Sequence, residues 1–93
     1  MTWVYILRCA DDSFYVGHTD DLPGRERTHN DGCGARYTAA RRPVRLVYSE
    51  QFDSVEQAIA RERQLKGWSA GKKKALLDGD SDLLKQLSKR RRR

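Results

Sequence analysis

The sequence predicts an α+β fold: a small, mainly antiparallel sheet with helices packed on it, in the order β-β-α-β-α-α. Three observations carry that expectation. Two short runs rich in aromatic and aliphatic residues, WVYILRC (3–9) and SFYVG (13–17), flank ADD, a loop short enough for a hairpin. A later run, VRLVYSE (44–50), alternates well enough for a third strand. Helical start and stop signals fill the remainder, grouped after the strands instead of strictly alternating with them.

The hairpin comes first. If Val4, Ile6, Phe14 and Val16 face one core layer, alternation sends Tyr5 and Tyr15 to the other face. A loop of odd length keeps the two sets in step, so two tyrosines lie near each other beside Gly17.

DLPGRERTHNDG (21–32) reads as a helix. Thr19, Asp20 or Asp21 can cap it, Pro23 suits its first turn, and Gly32 and Gly34 end it. It is an odd helix, because from Pro23 to Asn30 nothing apolar follows the proline. Arg25 and His29 are i, i+4 neighbours and share one of its faces. CGARYTAARRP (33–43) reads as a basic loop stopped by Pro43.

SVEQAIARERQLKG (54–67) is the strongest helix, with Ser54 and Gln57 as a capping box and Gly67 after its last turn. Its expected apolar stripe is Val55, Ala58, Ile59 and Leu65, and Glu62 occupies the slot where the stripe should continue. A charged carboxylate there needs an arginine, a hydrogen-bond network or a metal ion. SAGKKKALL (69–77) reads as a second short helix capped by Ser69, and SDLLKQLS (81–88) as a third, before the basic tail KRRRR. One domain is expected over residues 1–79, with 80–93 as a short helix and basic tail.

Composition narrows the function. No run approaches the ~18 apolar residues of a membrane span, and no signal-peptide pattern opens the chain, so a cytoplasmic protein is expected. Cys9 and Cys33 fit no zinc spacing and read as reduced thiols. The tail Lys89–Arg93 supplies five of the net +6 charges, and two further basic blocks, 25–45 and 61–74, alternate with acidic stretches. If those blocks converge, they form a patch for phosphates.

Tyr5, Tyr15, Arg25, His29 and Glu62 together suit phosphodiester hydrolysis. Arginine contacts phosphate oxygens bidentately, and one carboxylate with waters suits magnesium, which rarely takes a full protein cage. Tyrosine is a weak base at its free pKa of about 10 and needs a metal, Arg25 or His29 beside it.

These residues also carry a likeness. WVYILRC, then FYVG, then DL with Arg25 and His29, then ERQLKGWS and KKKALL resemble, in order and spacing, the GIY-YIG endonuclease superfamily, and more closely its small stand-alone bacterial YhbQ-like branch. The resemblance spans roughly residues 2–77. It implies a three-stranded antiparallel sheet flanked by helices and a nuclease dependent on Mg2+ or Mn2+ that hydrolyses DNA, with roles in repair or processing. By position, Tyr5, Tyr15, Arg25, His29 and Glu62 become the catalytic set. Arg25 binds phosphate, Glu62 ligates the metal, and Tyr5, or else His29, assists the attacking water. Gly17 lets the backbone come close. From the basic blocks themselves, apart from the resemblance, Arg27, Arg36, Arg41, Arg42, Lys66, Lys72 and Lys73 are candidate contacts to single-stranded or structured DNA. The chain departs from the pattern at Trp3-Val4, at polar Glu26 and Arg27, and at the downstream asparagine, for which only Asn30 is present. The alternative is a non-catalytic nucleic-acid-binding module in which the basic blocks, Tyr37 and Trp68 bind without cutting.

Overall fold

A computed structural model describes residues 1–80 and 82. The expected helix at 81–88 and the arginine tail therefore lie outside the described residues, Asp82 apart. Three strands, β1 (Thr2–Arg8), β2 (Phe14–Thr19) and β3 (Arg45–Phe52), form one antiparallel sheet in the order β2-β1-β3. Among the described residues, four helices accompany them: α1 (Leu22–Asn30), α2 (Arg36–Ala39), α3 (Val55–Lys66) and α4 (Ala70–Leu77). The four-residue α2 lies inside the segment expected to be loop. It is too short to show a helical period.

The hairpin register pairs Ile6 with Val16, Leu7 with Tyr15 and Tyr5 with Gly17. Alternation then separates two layers. Val4, Ile6 and Val16 pack with Ala58 and Leu65 of α3, while Tyr5, Leu7, Cys9 and Val44 pack with Tyr15, Leu22 and Leu46 on the opposite face. The central strand is the most buried, as its neighbours on both sides require.

The stripe on α3 differs from expectation. Val55 and Ile59 are 44% and 37% exposed. The inward face instead runs through Ala58, Arg61, Glu62 and Leu65, at i, i+3, i+4 and i+7. Arg61 can turn inward because Glu50 of β3 meets its guanidinium bidentately, Nε–Oε1 and Nη2–Oε2 both 2.9 Å, and because Trp68 lies beneath it. Tyr48 donates its hydroxyl to the same carboxylate. A neutralised charge network thus replaces two aliphatic side chains, which no apolar count could foresee.

The polar helix α1 is held by directed bonds in place of an apolar stripe. Asp21 caps it by accepting from Gly24 N at 3.2 Å. Glu26 accepts the Leu46 amide at 2.6 Å, and Asn30 bonds Val44 both ways, donating to its carbonyl at 2.9 Å and accepting from its amide at 2.7 Å. Its side chains therefore satisfy main-chain groups at the start of β3, an edge strand. Leu22 supplies the helix's one apolar contact to the layer beneath.

Candidate functional site

Glycine opens the site. An ideal Cβ on Gly17 would lie 2.5 Å from Tyr5 Oη, so only a glycine lets the phenol of β1 lie across β2. There Tyr5 Oη meets His29 Nε2 of α1 at 3.0 Å, and both residues are buried. On the far side of the imidazole, Nδ1 lies 2.7 Å from Thr38 Oγ1. Thr38 donates its own proton to the Ala35 carbonyl at 3.1 Å. Its hydroxyl therefore accepts from His29, which places the imidazole proton on Nδ1 and leaves Nε2 to accept from Tyr5. A directed chain results: Tyr5 O–H to His29 Nε2, His29 Nδ1–H to Thr38, Thr38 O–H to Ala35. Gly34 makes the imidazole's position possible, since a Cβ there would collide with His29 Nδ1.

Electrostatics favour the neutral ring that this arrangement needs. Burial, then the Arg25 guanidinium, pushes the His29 pKa down, which favours the neutral ring. Burial, then Tyr15, raises the Tyr5 pKa well above the ordinary phenol value, while Arg25 pulls the other way. Tyr5 is thus a neutral hydroxyl at physiological pH, able to pass a proton but not stored as a phenolate. Arg25 donates from Nε to Thr19 Oγ1 at 3.3 Å, which ties it to the end of β2. Tyr15 packs its ring 5.1 Å from that of His29 and stacks on Tyr37 at 6.2 Å.

Glu62 reaches the same edge from the other sheet face. Its carboxylate is held by His18 Nδ1 and by Lys66 Nζ at 2.6 Å. Burial opposes its ionisation, but the bonds from Lys66 and His18 outweigh that and keep its pKa below the usual carboxylate value. It makes no hydrogen bond to Tyr5, Tyr15, Arg25 or His29. Its charge does reach the phenol, adding to the rise in the Tyr5 pKa. Among the described residues, no three His, Cys, Asp or Glu side chains are grouped to hold a metal ion. The donor set therefore fits a hydrated cation on one ionised carboxylate and does not fit a full protein cage. Such an ion would displace Lys66 or His18, both well exposed, from one carboxylate oxygen.

The expected phosphate contacts divide. Lys66 and Lys73 line a groove along the β2 edge with Phe14, Tyr15, Val16 and Tyr37. Arg27 and Arg36 are exposed. Arg41 lies over the Tyr37 ring at 3.9 Å and pairs with Asp11 at 3.0 Å. Arg42 is occupied by the carbonyls of Ala39 and Asn30. Lys72, expected at a phosphate, is 7% exposed, with its ammonium 4.2 Å from the Trp68 ring centroid. Asn30, the one asparagine, anchors β3 and does not face the tyrosines. Sequence reasoning missed His18 and Thr38. His18 was legible as a polar residue two after Val16 on the same strand face, whereas Thr38 sits in a helix too short to read.

Comparison with known proteins places these observations. The family model described as the GIY-YIG catalytic domain matches residues 1–75. A UPF0213 protein of Haloquadratum walsbyi is 43% identical over 81 residues, covering 87% of this chain and 91% of its own length. A UPF0213 protein of Bacillus pumilus is 49% identical over 71 residues, covering 76% and 72%. The solution NMR structure of a UPF0213 protein from Bacillus halodurans is 42% identical, covers 86% of each chain and superposes with a TM-score of 0.55.

Proposed function

The chain belongs to the GIY-YIG family, whose domain is of nuclease type, and from that premise we propose that it is a divalent-metal-dependent endonuclease hydrolysing phosphodiester bonds of DNA in the cytoplasm. The observation that carries the reading is the Tyr5–His29–Thr38 chain. It is a relay with a defined direction, ending on a buried imidazole held neutral and ready to accept.

Each residue then has a task. A water poised at Tyr5 Oη gives its proton to the phenol oxygen as the phenol gives its own to His29 Nε2. The imidazolium formed keeps its Nδ1–H on Thr38, which holds the ring in orientation. Tyr5 is thereby the relay and His29 the acceptor, so neither a resident phenolate nor a strongly shifted base is needed. Arg25 contacts the non-bridging phosphate oxygens and offsets their charge. Tyr15 packs against the imidazole and orients it. A Mg2+ or Mn2+ ion on Glu62 would supply Lewis-acid stabilisation of the scissile phosphate and its leaving oxygen. Lys66, Lys73, Arg27 and Arg36 provide backbone contacts that position the strand without reading its sequence.

The test is cleavage of single-stranded, duplex and branched DNA with magnesium or manganese, comparing the protein with Glu62→Ala. Metal-dependent product from the first and not the second supports the reading. Equal cleavage by both refutes it. Tight binding without product from either identifies a binding module.

A further inference from the structure

We propose that Arg8 and Arg45 form a second phosphate clamp, at the end of the sheet away from Gly17, which grips the same polynucleotide beyond the scissile linkage. This deepens the nuclease reading and rests on it.

The two arginines are direct cross-strand partners in the β1–β3 register. Like charges opposite one another on neighbouring strands destabilise a sheet. Neither is neutralised in the usual way. Arg8 Nε is buried with no hydrogen-bond partner, and its nearest carboxylate oxygen, Asp12 Oδ1, is 3.8 Å away on a side chain 86% exposed. Arg45 is exposed, and its side chain makes no hydrogen bond or ion pair among the described residues. Arg61 and Arg41, by contrast, pair closely, with Glu50 and Asp11. Arg8 and Arg45 also line one shallow concavity with Cys9, Pro43 and Val44. Two guanidinium groups at one concavity, neither closely paired, are suited to a phosphate, the anion that guanidinium forks match.

Continuity with the site indicates whose phosphate it is. Lys66 and Lys73 line the β2-edge groove with Phe14 and Tyr15, and Arg8 lies over the Phe14 ring, 5.7 Å from its centroid. A basic track thus runs from Glu62's partner Lys66 past Lys73 to Arg8 and Arg45. Along β1, alternation puts Arg8 on the face of Val4 and Ile6, the face that carries α3 and Glu62, opposite the face of Tyr5.

The test compares the protein with Arg45→Gln and Arg8→Gln, in metal-free buffer, on oligonucleotides of graded length. Long oligonucleotides should bind Arg45→Gln several-fold more weakly, with the slope of log K against log salt reduced by about 0.7–0.9. Oligonucleotides too short to reach from Lys66 to Arg8 should bind all three proteins alike. Without ligand, Arg45→Gln should melt higher than the parent, because the like-charge pair is relieved. Equal affinity and salt slope for parent and variants on long DNA overturns the clamp while leaving the nuclease reading intact. Loss of DNA binding by all three sinks the nuclease reading and the track with it. Inorganic phosphate raising the melting temperature of the parent but not of Arg45→Gln, with DNA affinity unchanged, would assign the pair to a free anion and overturn the strand track.

Discussion

Tyr5 and His29, 24 residues apart in the chain, share a buried hydrogen bond of 3.0 Å whose direction is set by a third residue, Thr38. Because Thr38 donates to Ala35, it can only accept from the imidazole, so His29 can only accept from Tyr5. The direction of these hydrogen bonds is thus written into a helix of four residues that takes no part in the sheet.

Tyr5→Phe removes the relay and leaves His29 Nε2 buried without a donor. Cleavage should fall about 10²–10⁴-fold, the usual worth of a positioned proton-transfer group. Stability should fall by about 1–3 kcal/mol. Single-turnover assays and urea unfolding check the two effects. Retention of full activity would remove Tyr5 from the mechanism.

Gly17→Ala should act on the same bond from the neighbouring strand. The new methyl meets Tyr5 Oη and must push the phenol away from His29. Overpacking of this kind costs about 1–3 kcal/mol. Activity should drop well beyond what the stability loss explains, with DNA affinity retained. A crystal structure of the variant with an undisturbed Tyr5–His29 contact would contradict this.

The pH profile follows from the depressed His29 pKa. Burial, then Arg25, lowers it from the ordinary value of 6.5. The unfolded chain therefore binds the proton more readily. The stability due to neutral His29 is full above about 6.5 and is lost as pH falls towards the lower folded value. Cleavage should show an acid limb with its midpoint below 6.5, and Arg25→Gln should move that midpoint upward. NMR titration of the His29 ring measures it directly. A midpoint above 6.5 would reverse the assignment of cause.

Asn30→Ala should destabilise the protein without touching the chemistry. It strips both main-chain partners from Val44, at about 1–3 kcal/mol for the groups left unsatisfied. Chemical denaturation reads the loss. The turnover of the folded fraction should be close to that of the parent. A variant as stable as the parent would show that α1 is held by something other than its bonds to β3.

The hairpin, the three strands and the helices α1, α3 and α4 follow from local chemistry: alternation, caps and glycine stops act over a few residues and are legible there. The same locality placed Tyr5 and Tyr15 on one face and put Arg25 and His29 one turn apart. Tertiary structure decided the rest. The inward side of α3 passes through Arg61 because Glu50, eleven residues earlier on β3, neutralises it. The helix without an apolar stripe holds because the edge of β3 offers it unpaired amides and carbonyls. The partners His18 and Lys66 for Glu62, and the Thr38 that orients His29, depend on which strand edge and which turn come together. Sequence patterns report what a residue prefers among its neighbours along the chain, whereas charge pairing and proton direction depend on distances that only the packed fold creates.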